Sequence, residues 1–452
     1  MKIVIIGCGR VGRRIIHSLT AEGHDVTAVD VNNEVLEKLS ERYDILPVLD
    51  NGVSVASQKA AGVSDSDIVI AATDSDEKNM LCCMVAKKLG TKRTIARVRN
   101  PQYVEHLKLL KEELGLSLAV NPEYTLANEI YNILRFPSAL TVESFCKDKV
   151  EIASFLITPN CPLNGQSLIN ASKSIKTPFL ICAVERGEEL IIPRGSFVIQ
   201  AGDKLYVTVE DKRLEAFFKE VGVYKDRPRK IMIVGGGLTA IHLAEKLKGV
   251  NVQIKIIEQN KDLCIQMEER LSHASIIHAD AFSEKLLFEE GFESTDAFIS
   301  LTGNDQTNSI LALYAQECGI KKVITKIRHK FVSGMFDKIG LYSIVSKDAV
   351  TADKIIQFVR SLSAAHSEEI ISLHKLFDEQ GEAVEFIATK DCTFLDTPLK
   401  DVNVKEDIIV ASIEHKGKIY LPVGSSTIAL GDRVVVVTKN KYFDTLNDIV
   451  ED

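Results

Sequence analysis

Residues 3–12, which read Ile-Val-Ile-Ile-Gly-Cys-Gly-Arg-Val-Gly, decide the fold of this chain. They join a short apolar run to a glycine loop and then to a stretch with helical spacing, the context in which a Gly-x-Gly-x-x-Gly motif predicts a dinucleotide site. In such a site Gly7 permits the tight turn, Gly9 lets a pyrophosphate approach the backbone, and Gly12 lets helix and strand pack closely. The helix N-terminus then offers unpaired N–H groups to the phosphates.

Asp30 lies at the end of the next apolar run, where a nucleotide site of this kind places an acidic residue. Its carboxylate is expected to accept hydrogen bonds from the hydroxyl groups of the adenosine ribose. The same carboxylate would repel a 2′-phosphate, and no arginine follows it in residues 31–33. The sequence therefore favours NAD over NADP.

Residues 231–240, Ile-Met-Ile-Val-Gly-Gly-Gly-Leu-Thr-Ala, repeat this opening in the second half of the chain. Matching positions keep one constant offset at first, and after a single inserted residue they stay aligned as far as Gly202-Asp203 and Gly431-Asp432. Because chance does not hold a register over so long a stretch, the chain is a duplicated unit. An enzyme with one active site gains little from duplication of its whole chain, so the repeat favours a regulatory role.

The second copy of the motif is weaker than the first. Gly235, Gly237 and Glu258 persist, but Leu238 stands where the first copy has an arginine, and Ala240 replaces its third glycine. Alanine only adds a methyl group at the contact of helix and strand, whereas loss of the arginine removes a charged donor near the phosphates. We expect the second copy to bind a nucleotide more weakly, or to bind a different one.

Each copy is predicted to contain two kinds of domain. Continuous apolar strands alternate first with amphipathic helices, which indicates a parallel sheet covered on both faces. Short β-rich runs separated by turn residues follow, and they indicate a small α+β module. The fold class is therefore α/β, with two tandem copies of a doubly wound, Rossmann-like domain and a small α+β module. The predicted boundaries are 1–122 and 231–346 for the sheet domains, 123–140 and 347–366 for a crossover helix after each, 141–224 and 367–452 for the small modules, and 225–230 for a linker.

The spacing of apolar residues also predicts individual elements of the first sheet domain and the two crossover helices. The predicted strands are Ile3–Ile6, Asp25–Val29, Ile45–Val48, Ile68–Ala71 and Thr94–Val98. The predicted helices are Val11–Ala21, Glu34–Arg42, Met80–Leu89, Glu123–Phe136 and Ala352–Leu362.

Composition excludes several classes of protein. The 452 residues carry a formal net charge of −8, and a nucleic-acid binder would normally show a basic surface. No apolar run approaches the about 18–20 residues that cross a bilayer, so we expect no direct membrane insertion. The nine cysteines include no Cys-x-x-Cys pair, which favours reduced thiols in a cytoplasmic protein. Cys8 lies inside the glycine loop and is interpreted as a small filler rather than as a reactive thiol.

No catalytic constellation accompanies the nucleotide motif. The sequence contains no P-loop lysine, no His-Glu-x-x-His and no Cys/His cluster, and the small modules repeat no histidine or lysine that could serve hydride transfer. We therefore expect no enzyme activity and no metal site. A duplicated NAD-dependent oxidoreductase remains the rival interpretation. Arg97 and Arg99 alternate at the end of a strand and recur as Lys326 and Arg328. For each pair, a contact with a phosphate and a surface salt bridge are equal alternatives.

The glycine motif, Asp30, Asp50, residues 72–74 and residues 96–98, followed by a small β-rich module, resemble an RCK domain, a regulator of K⁺ conductance. Two such units in one chain resemble the tandem-RCK subunits of Trk-type potassium uptake systems. The resemblance covers essentially the whole chain. A related regulator of a potassium efflux antiporter is the remaining alternative.

What the resemblance implies is a gating ring beneath a membrane-embedded potassium transporter, on the cytoplasmic face of the cell membrane. Paired sheet domains would exchange their crossover helices, and the protein would form a homo-oligomer, with a tetramer expected first. NAD(H), ATP and ADP are the implied ligands, with Arg10 and Arg97 at the phosphates and Asp50, Thr73 and Asp74 near the adenosine. The complete set of candidate residues is Gly7, Cys8, Gly9, Arg10, Val11, Gly12, Asp30, Asp50, Ala72, Thr73, Asp74 and Arg97 in the first copy, and Gly235, Gly237, Leu238, Glu258, Asp280 and Thr302 in the second.

Overall fold

A computed structural model gives the fold of the chain as two compact units. The first unit comprises Met1–Tyr131 and Pro228–Val359, and it contains both sheet domains. The second comprises Asn132–Arg227 and Arg360–Asp452, and it contains both small modules. The residues that the structure describes are 1–100, 103, 113–146, 149–187, 189–210, 213–224, 226–328, 343–364, 369–376, 380–439, 443 and 445–451.

The first sheet domain is built on a parallel sheet in the order β3-β2-β1-β4-β5-β6. The central strands are buried on both faces, as their continuous apolar sequence predicts. Its strands are β1 (Lys2–Ile6), β2 (Asp25–Asp30), β3 (Ile45–Leu49), β4 (Ile68–Ala71), β5 (Arg93–Arg97) and β6 (Leu118–Val120).

Helices connect these strands, and their ends follow local capping chemistry. Ser75 accepts a hydrogen bond from the backbone N–H of Lys78 and so begins one helix, which ends at Gly90 in the left-handed conformation. Asn32 caps another helix by accepting from the N–H of Val35. The helices are α1 (Arg10–Ala21), α2 (Asn33–Ser40), α3 (Val55–Ala60) and α4 (Asp76–Leu89).

The second sheet domain repeats the first strand by strand, because the duplicated sequence keeps the same apolar pattern. Its parallel sheet has the order β14-β13-β12-β15-β16-β17. Its strands are β12 (Lys230–Val234), β13 (Gln253–Glu258), β14 (Ala274–His278), β15 (Ala297–Ser300), β16 (Lys322–Lys326) and β17 (Ile344–Val345). Its helices are α8 (Leu238–Leu247), α9 (Lys261–Arg270), α10 (Glu284–Glu289) and α11 (Asp305–Glu317).

The crossover helices α5 (Pro122–Arg135) and α12 (Lys347–Ala364) each contact the other copy. Arg14 on α1 pairs with Asp353 on α12 at 3.1 Å. Tyr124 on α5 packs edge-on against His242 on α8, with 5.8 Å between the ring centroids. Each crossover helix therefore lies against the glycine-loop helix of the other copy, so the two copies form within one chain the helix exchange that the family resemblance implies.

The small modules carry two antiparallel sheets of identical strand order, β7-β8-β11-β9-β10 and β18-β19-β22-β20-β21. They share one apolar cluster, in which Phe145 and Tyr206 of the first module pack with Val435 and Val437 of the second. The first module contains β7 (Thr141–Phe145), β8 (Val150–Leu156), α6 (Leu168–Ser174), β9 (Phe179–Arg186), β10 (Glu189–Ile191), β11 (Lys204–Val209) and α7 (Leu214–Glu220). The second contains β18 (Ile370–Leu376), β19 (Gly381–Ile387), β20 (Ile408–His415), β21 (Lys418–Tyr420) and β22 (Arg433–Thr438).

The structure adds elements that the sequence did not predict. Strands β6 and β17 are three and two residues long, too short for a recognisable period. Helix α4 begins at Asp76 rather than at Met80, because its polar first turn carries no apolar periodicity. Within the described residues, no helix combines the length and the apolar character that a bilayer crossing needs.

Candidate nucleotide-binding site

The glycine loop between β1 and α1 is packed against the end of β4. Gly7 has φ +93°, a conformation that favours glycine, and a Cβ atom on it would lie 2.8 Å from the backbone nitrogen of Thr73. A Cβ on Gly12 would lie 2.1 Å from the carbonyl oxygen of Gly7. These two glycines therefore let the loop, the helix and the neighbouring strand pack closely.

Gly9 is different, because it faces open space. A Cβ built on it would have no heavy atom within 4 Å, and its φ of −67° suits any residue. Gly9 precedes α1 and provides no side-chain cap for the helix. The first N–H groups of a helix have no partner inside it, and together with the helix dipole they favour an anion at this place.

Asp30 lies beside the glycine loop at the carboxyl end of β2. One carboxylate oxygen accepts a hydrogen bond from the backbone N–H of Cys8 at 2.6 Å, and the other accepts from the N–H of Asn32 at 2.9 Å. Asp50 follows β3, where its backbone N–H donates to the carbonyl of Asp30 at 3.0 Å. The structure thus brings the glycine loop, Asp30 and Asp50 to one edge of the sheet.

Cys8 is buried under the loop, as expected of a small filler. Burial, and then the nearby Asp30 carboxylate, raise the pKa of its thiol to about 12. This shift favours the neutral thiol at physiological pH, and a neutral thiol is a much weaker nucleophile than the thiolate.

The end of β4 is organised by Asn79, a fully buried residue that the sequence analysis did not single out. Its side-chain oxygen accepts from the backbone N–H of Thr73 at 2.8 Å and from the Thr73 hydroxyl at 2.7 Å. Its amide group donates to the carbonyl of Arg97 at 2.9 Å, which ties β4 to β5. Ala72 is buried beside Thr73, whereas Asp74 is exposed. The sequence did offer a signal for this role, because the polar residue Asn79 recurs in the second copy as Asn308.

The two arginines at the end of β5 have different surroundings. Arg97 donates to the carbonyl of Thr73 at 2.7 Å, and burial lowers the pKa of its guanidinium. Its Nε is buried with no hydrogen-bond partner among the described residues. Arg99 instead pairs with Asp76 at 3.5 Å. Arg97 is therefore the cation that lies in the crevice beside the loop, and Arg99 forms a salt bridge.

Arg10 begins α1, next to Val11, and its guanidinium reaches the other copy. Its Nε lies 2.7 Å from a carboxylate oxygen of Asp348 on α12. The carboxylate is largely buried, with 14% of its side chain exposed, whereas Arg10 is 54% exposed. The sequence did not reveal this pair, because the partners belong to different copies.

The second copy reproduces the loop geometry of the first. Gly235 has φ +100°, and a Cβ on it would lie 2.9 Å from the backbone of Thr302. Glu258 accepts from the N–H of Gly236 at 2.7 Å and from the N–H of Asn260 at 2.8 Å, just as Asp30 does in the first copy. A Cβ on Gly237 again meets no atom within 4 Å.

Substitutions nevertheless change the second crevice. Met267 fills the space where a side chain on Gly236 would lie, with its methyl carbon 2.4 Å from such a Cβ. Lys326 replaces Arg97 and donates to the carbonyl of Leu301 at 2.8 Å. Burial, and then the neighbouring Lys347 and Arg328, lower the pKa of the Lys326 amine to about 8.

The remaining candidates of the second copy lie close to this crevice but do not repeat the first copy in full. Leu238 begins α8 and has no charge to contribute. Ala279 donates to the carbonyl of Glu258 at 3.0 Å, as Asp50 does to Asp30, so Asp280 lies one position beyond the counterpart of Asp50. Its carboxylate accepts from the N–H of Phe282 at 3.0 Å.

Family models match the chain along most of its length. The TrkA-N domain matches residues 3–122 and 231–347, and the TrkA-C domain matches residues 152–222 and 383–450. The "Trk system potassium uptake protein TrkA homolog 2" of Methanosarcina mazei is 30% identical over 447 residues, which cover 96% of this chain and 97% of that protein. The "Trk system potassium uptake protein TrkA" of Halomonas elongata is 29% identical, over 98% of this chain and 96% of its own length.

Two solved structures share the fold at low sequence identity. The "GsuK channel bound to NAD" superposes with a TM-score of 0.63 and 18% identity, over 97% of this chain and 76% of that one. The "Crystal Structure of the GsuK RCK domain" gives a TM-score of 0.61 and 18% identity, over 96% of this chain and 92% of that one. At this identity the likeness concerns the fold, and it confirms the predicted pairing of Rossmann-like domains with small RCK-type modules.

Proposed function

Because the chain belongs to the TrkA family, with two TrkA-N and two TrkA-C domains, we propose that it is the regulatory, nucleotide-sensing subunit of a Trk-type potassium uptake system. The family predicted from the sequence is thereby confirmed. The observation that carries the proposal is the glycine loop, which has the same geometry in both copies. In each copy a carboxylate accepts a hydrogen bond from a backbone N–H of the loop, and the second glycine of the motif faces open space.

The first copy is the principal nucleotide site in this proposal. The N-terminus of α1 binds the phosphates, and Gly9 leaves room for them to approach. Asp30 binds the ribose hydroxyls, while Asp50 and Thr73-Asp74 lie towards the adenosine. NAD(H) fits this arrangement better than NADP, because a 2′-phosphate would meet the Asp30 carboxylate. ATP and ADP carry the same adenosine and are the further proposed ligands.

The second copy is a weaker or different site. Leu238 contributes no charge, and Lys326 has a depressed pKa of about 8, so part of its positive charge is lost just above neutral pH. Glu258 keeps the place of the ribose-binding carboxylate. A site that retains the ribose contact but has fewer charges at the phosphates would bind a mononucleotide, or bind NAD(H) weakly.

Assembly into a ring on the cytoplasmic face of a membrane-embedded transporter is the third part of the proposal. The outer faces of α4 and α11 expose apolar residues at matching positions, Leu81 and Ile310, which are 40% and 55% exposed. Each chain therefore presents an exposed apolar residue at the same position of both copies, and a position repeated in this way supports symmetric association. A tetramer, with eight sheet domains, is the proposed state.

The chemistry of the crevice supports the regulatory role in this proposal. Cys8 has a thiol pKa of about 12, and the basic residues there contact backbone carbonyls or carboxylates. The oxidoreductase alternative requires a proton donor or acceptor facing a nicotinamide. A regulator of an efflux antiporter would use the same nucleotide site, but the curated relatives that match along the whole chain are named as potassium uptake proteins.

Calorimetric titration of the full chain with NADH, NAD⁺, NADPH, ATP and ADP tests the nucleotide part of the proposal. NADH is expected to bind and NADPH to bind far more weakly. The same preparation, incubated with NADH and a panel of oxo-acids, should leave the absorbance of NADH unchanged. Steady oxidation of NADH would instead support the oxidoreductase alternative, and absence of binding by all five nucleotides would refute the proposed site.

A further inference from the structure

A cavity of about 490 Å³ opens at the amino-terminal end of the first parallel sheet. Its lining includes Lys2 at the start of β1 and Asp25 at the start of β2. Asp44, which precedes β3, and Asp65, which precedes β4, also line it. The glycine loop follows the opposite end of β1, so this cavity is separate from the nucleotide crevice. Its volume suits a small organic molecule.

Carboxylates are in excess in the lining of this cavity. Asp25, Asp44 and Asp65 are exposed, and none of them forms an ion pair within the part of the chain that the structure describes. Lys2 and His24 are the basic side chains of the lining, and Nδ1 of His24 lies 3.4 Å from the amino terminus. A cleft in which one sign of charge prevails attracts ligands of the opposite sign, so the lining favours a cation.

The second copy fills the corresponding space with its own side chains. Lys255 and Glu290 stand at the positions of Thr27 and Ala61, both of which line the cavity of the first copy. The Lys255 amine donates to the Glu290 carboxylate at 2.7 Å and to the backbone carbonyl of the same residue at 2.7 Å. Thr27 and Ala61 are too short to form such a pair, so the space stays open in the first copy.

The charges around this space also differ between the copies. The positions of the three carboxylates carry no carboxylate in the second copy, where they are Gln253, His273 and Ser294. The copy that supplies its own ammonium group therefore lacks the carboxylates, whereas the copy that has the carboxylates lacks the ammonium group. The duplicated chain thus shows, at the same place of the same fold, that an alkylammonium group fits here.

We propose that the cavity of the first copy binds an aliphatic diamine or polyamine. One ammonium group takes the place that the Lys255 amine takes in the second copy, and it donates to the backbone carbonyl of Ala61. A second ammonium group pairs with the carboxylates of the lining. The methylene chain between them lies against apolar residues such as Leu46, which is 57% exposed, in the way that lysine stems cover apolar surface. An inorganic cation would leave this apolar part of the cavity unfilled.

The test is calorimetric titration of the full chain with 1,4-diaminobutane and with spermidine, at an ionic strength that screens weak attraction between exposed charges. Both amines are expected to bind at a single site in each chain. The diol 1,4-butanediol has the same carbon chain but no charge, and it is expected not to bind. Absence of binding by both amines, or binding of the diol as tight as that of the diamine, would overturn the inference.

Thr27→Lys combined with Ala61→Glu should abolish amine binding, because it builds the ion pair of the second copy into the cavity. This double variant leaves the net charge unchanged, so a general attraction of amines to an acidic protein would persist in it. Lys255→Thr combined with Glu290→Ala is the matched control, because it opens the second space without adding carboxylates, and it should create no further amine site. Unchanged amine binding in the first double variant, or a second site of equal affinity in the control, would contradict the inference.

Asp44→Asn and Asp65→Asn give a test that does not depend on how the new ion pair folds. Both side chains are exposed, so the loss of one charge should leave the fold intact. Each variant is expected to weaken amine binding about two- to fivefold, the range of a solvent-exposed ion pair. Glu268→Gln removes an exposed carboxylate of the second copy, away from the cavity, and should leave the affinity unchanged. Equal amine affinities in all three variants would refute the role of the cavity.

Discussion

Gly9→Ala is the sharpest single test of the glycine loop, because the structure separates its effects on folding and on binding. A Cβ at this position has no neighbour within 4 Å, and the backbone has a φ of −67° that alanine adopts readily. Replacing glycine by alanine at a compatible position raises stability by about 0.4–1 kcal/mol, since it reduces the freedom of the unfolded chain. Gly9 is also the N-cap of α1, a position where glycine is more favourable than alanine, so the two effects offset each other and the ligand-free protein should be about as stable as before.

Binding of NADH should weaken strongly in the same variant. The new methyl group would stand where the pyrophosphate approaches the N-terminus of α1, so that hydrogen bonds from the backbone to the phosphates are lost or lengthened. A hydrogen bond to a charged group contributes about 1.5–3 kcal/mol, so the loss of one corresponds to a decrease in affinity of about ten- to 150-fold, and the loss of two to a larger decrease.

Thermal unfolding with and without NADH measures both effects, because a ligand raises the melting temperature only if it binds the folded state. Gly237→Ala is the matched control, since its Cβ also meets no atom within 4 Å at a φ of −65°. It should leave most of the NADH-induced stabilisation in place. A Gly9→Ala protein that is stabilised by NADH as strongly as the unmodified chain would refute the position of the phosphates.

Three further predictions concern the ribose contact, the second crevice and the assembly. Asp30→Ala should remove most NADH binding in a calorimetric titration and Glu258→Ala should remove little, and equal losses would contradict the inequivalence of the copies. Lys326 has a pKa of about 8 in the folded chain, below its value when unfolded, so its burial penalty is complete below pH 8 and is relieved as the pH rises. If Lys326→Met has a higher free energy of unfolding than the unmodified chain, that difference should shrink between pH 7 and about pH 10. A difference that stays constant with pH in denaturant titrations would contradict the lowered pKa of Lys326. Leu81→Asp combined with Ile310→Asp should reduce the mass found by light scattering, and an unchanged oligomer would exclude these faces from the interface.

The features that could be predicted from the sequence are local ones. The strand Ile68–Ala71 was predicted with the bounds that the structure gives, because its burial on both faces requires an unbroken apolar run. The turn at Gly7 followed from a motif whose glycines each have a steric reason. Because duplication copies these local rules, the second sheet domain could be predicted from the first.

Features that depend on how distant segments meet could not be predicted in this way. Asp348 reaches Arg10 only because α12 lies against the other copy's helix, and no local pattern marks such a contact. Met267 fills the space beside Gly236 for a similar reason, since its helix packs under the loop. Arg97 and Arg99, at the end of β5, could not be told apart in the sequence. The position of Asp76 separates them, because Asp76 pairs with Arg99 whereas Arg97 donates to the carbonyl of Thr73.

Potassium flux through a Trk-type membrane subunit from the same genome, reconstituted in proteoliposomes with this chain, tests the central claim most directly. The claim is that nucleotide binding to the first sheet domain controls transport. Flux should depend on the presence of the chain and should change when NADH, ATP or ADP is added, and the Gly9→Ala variant should lose the response to NADH. Flux that is the same with and without the chain at every nucleotide concentration would contradict the account.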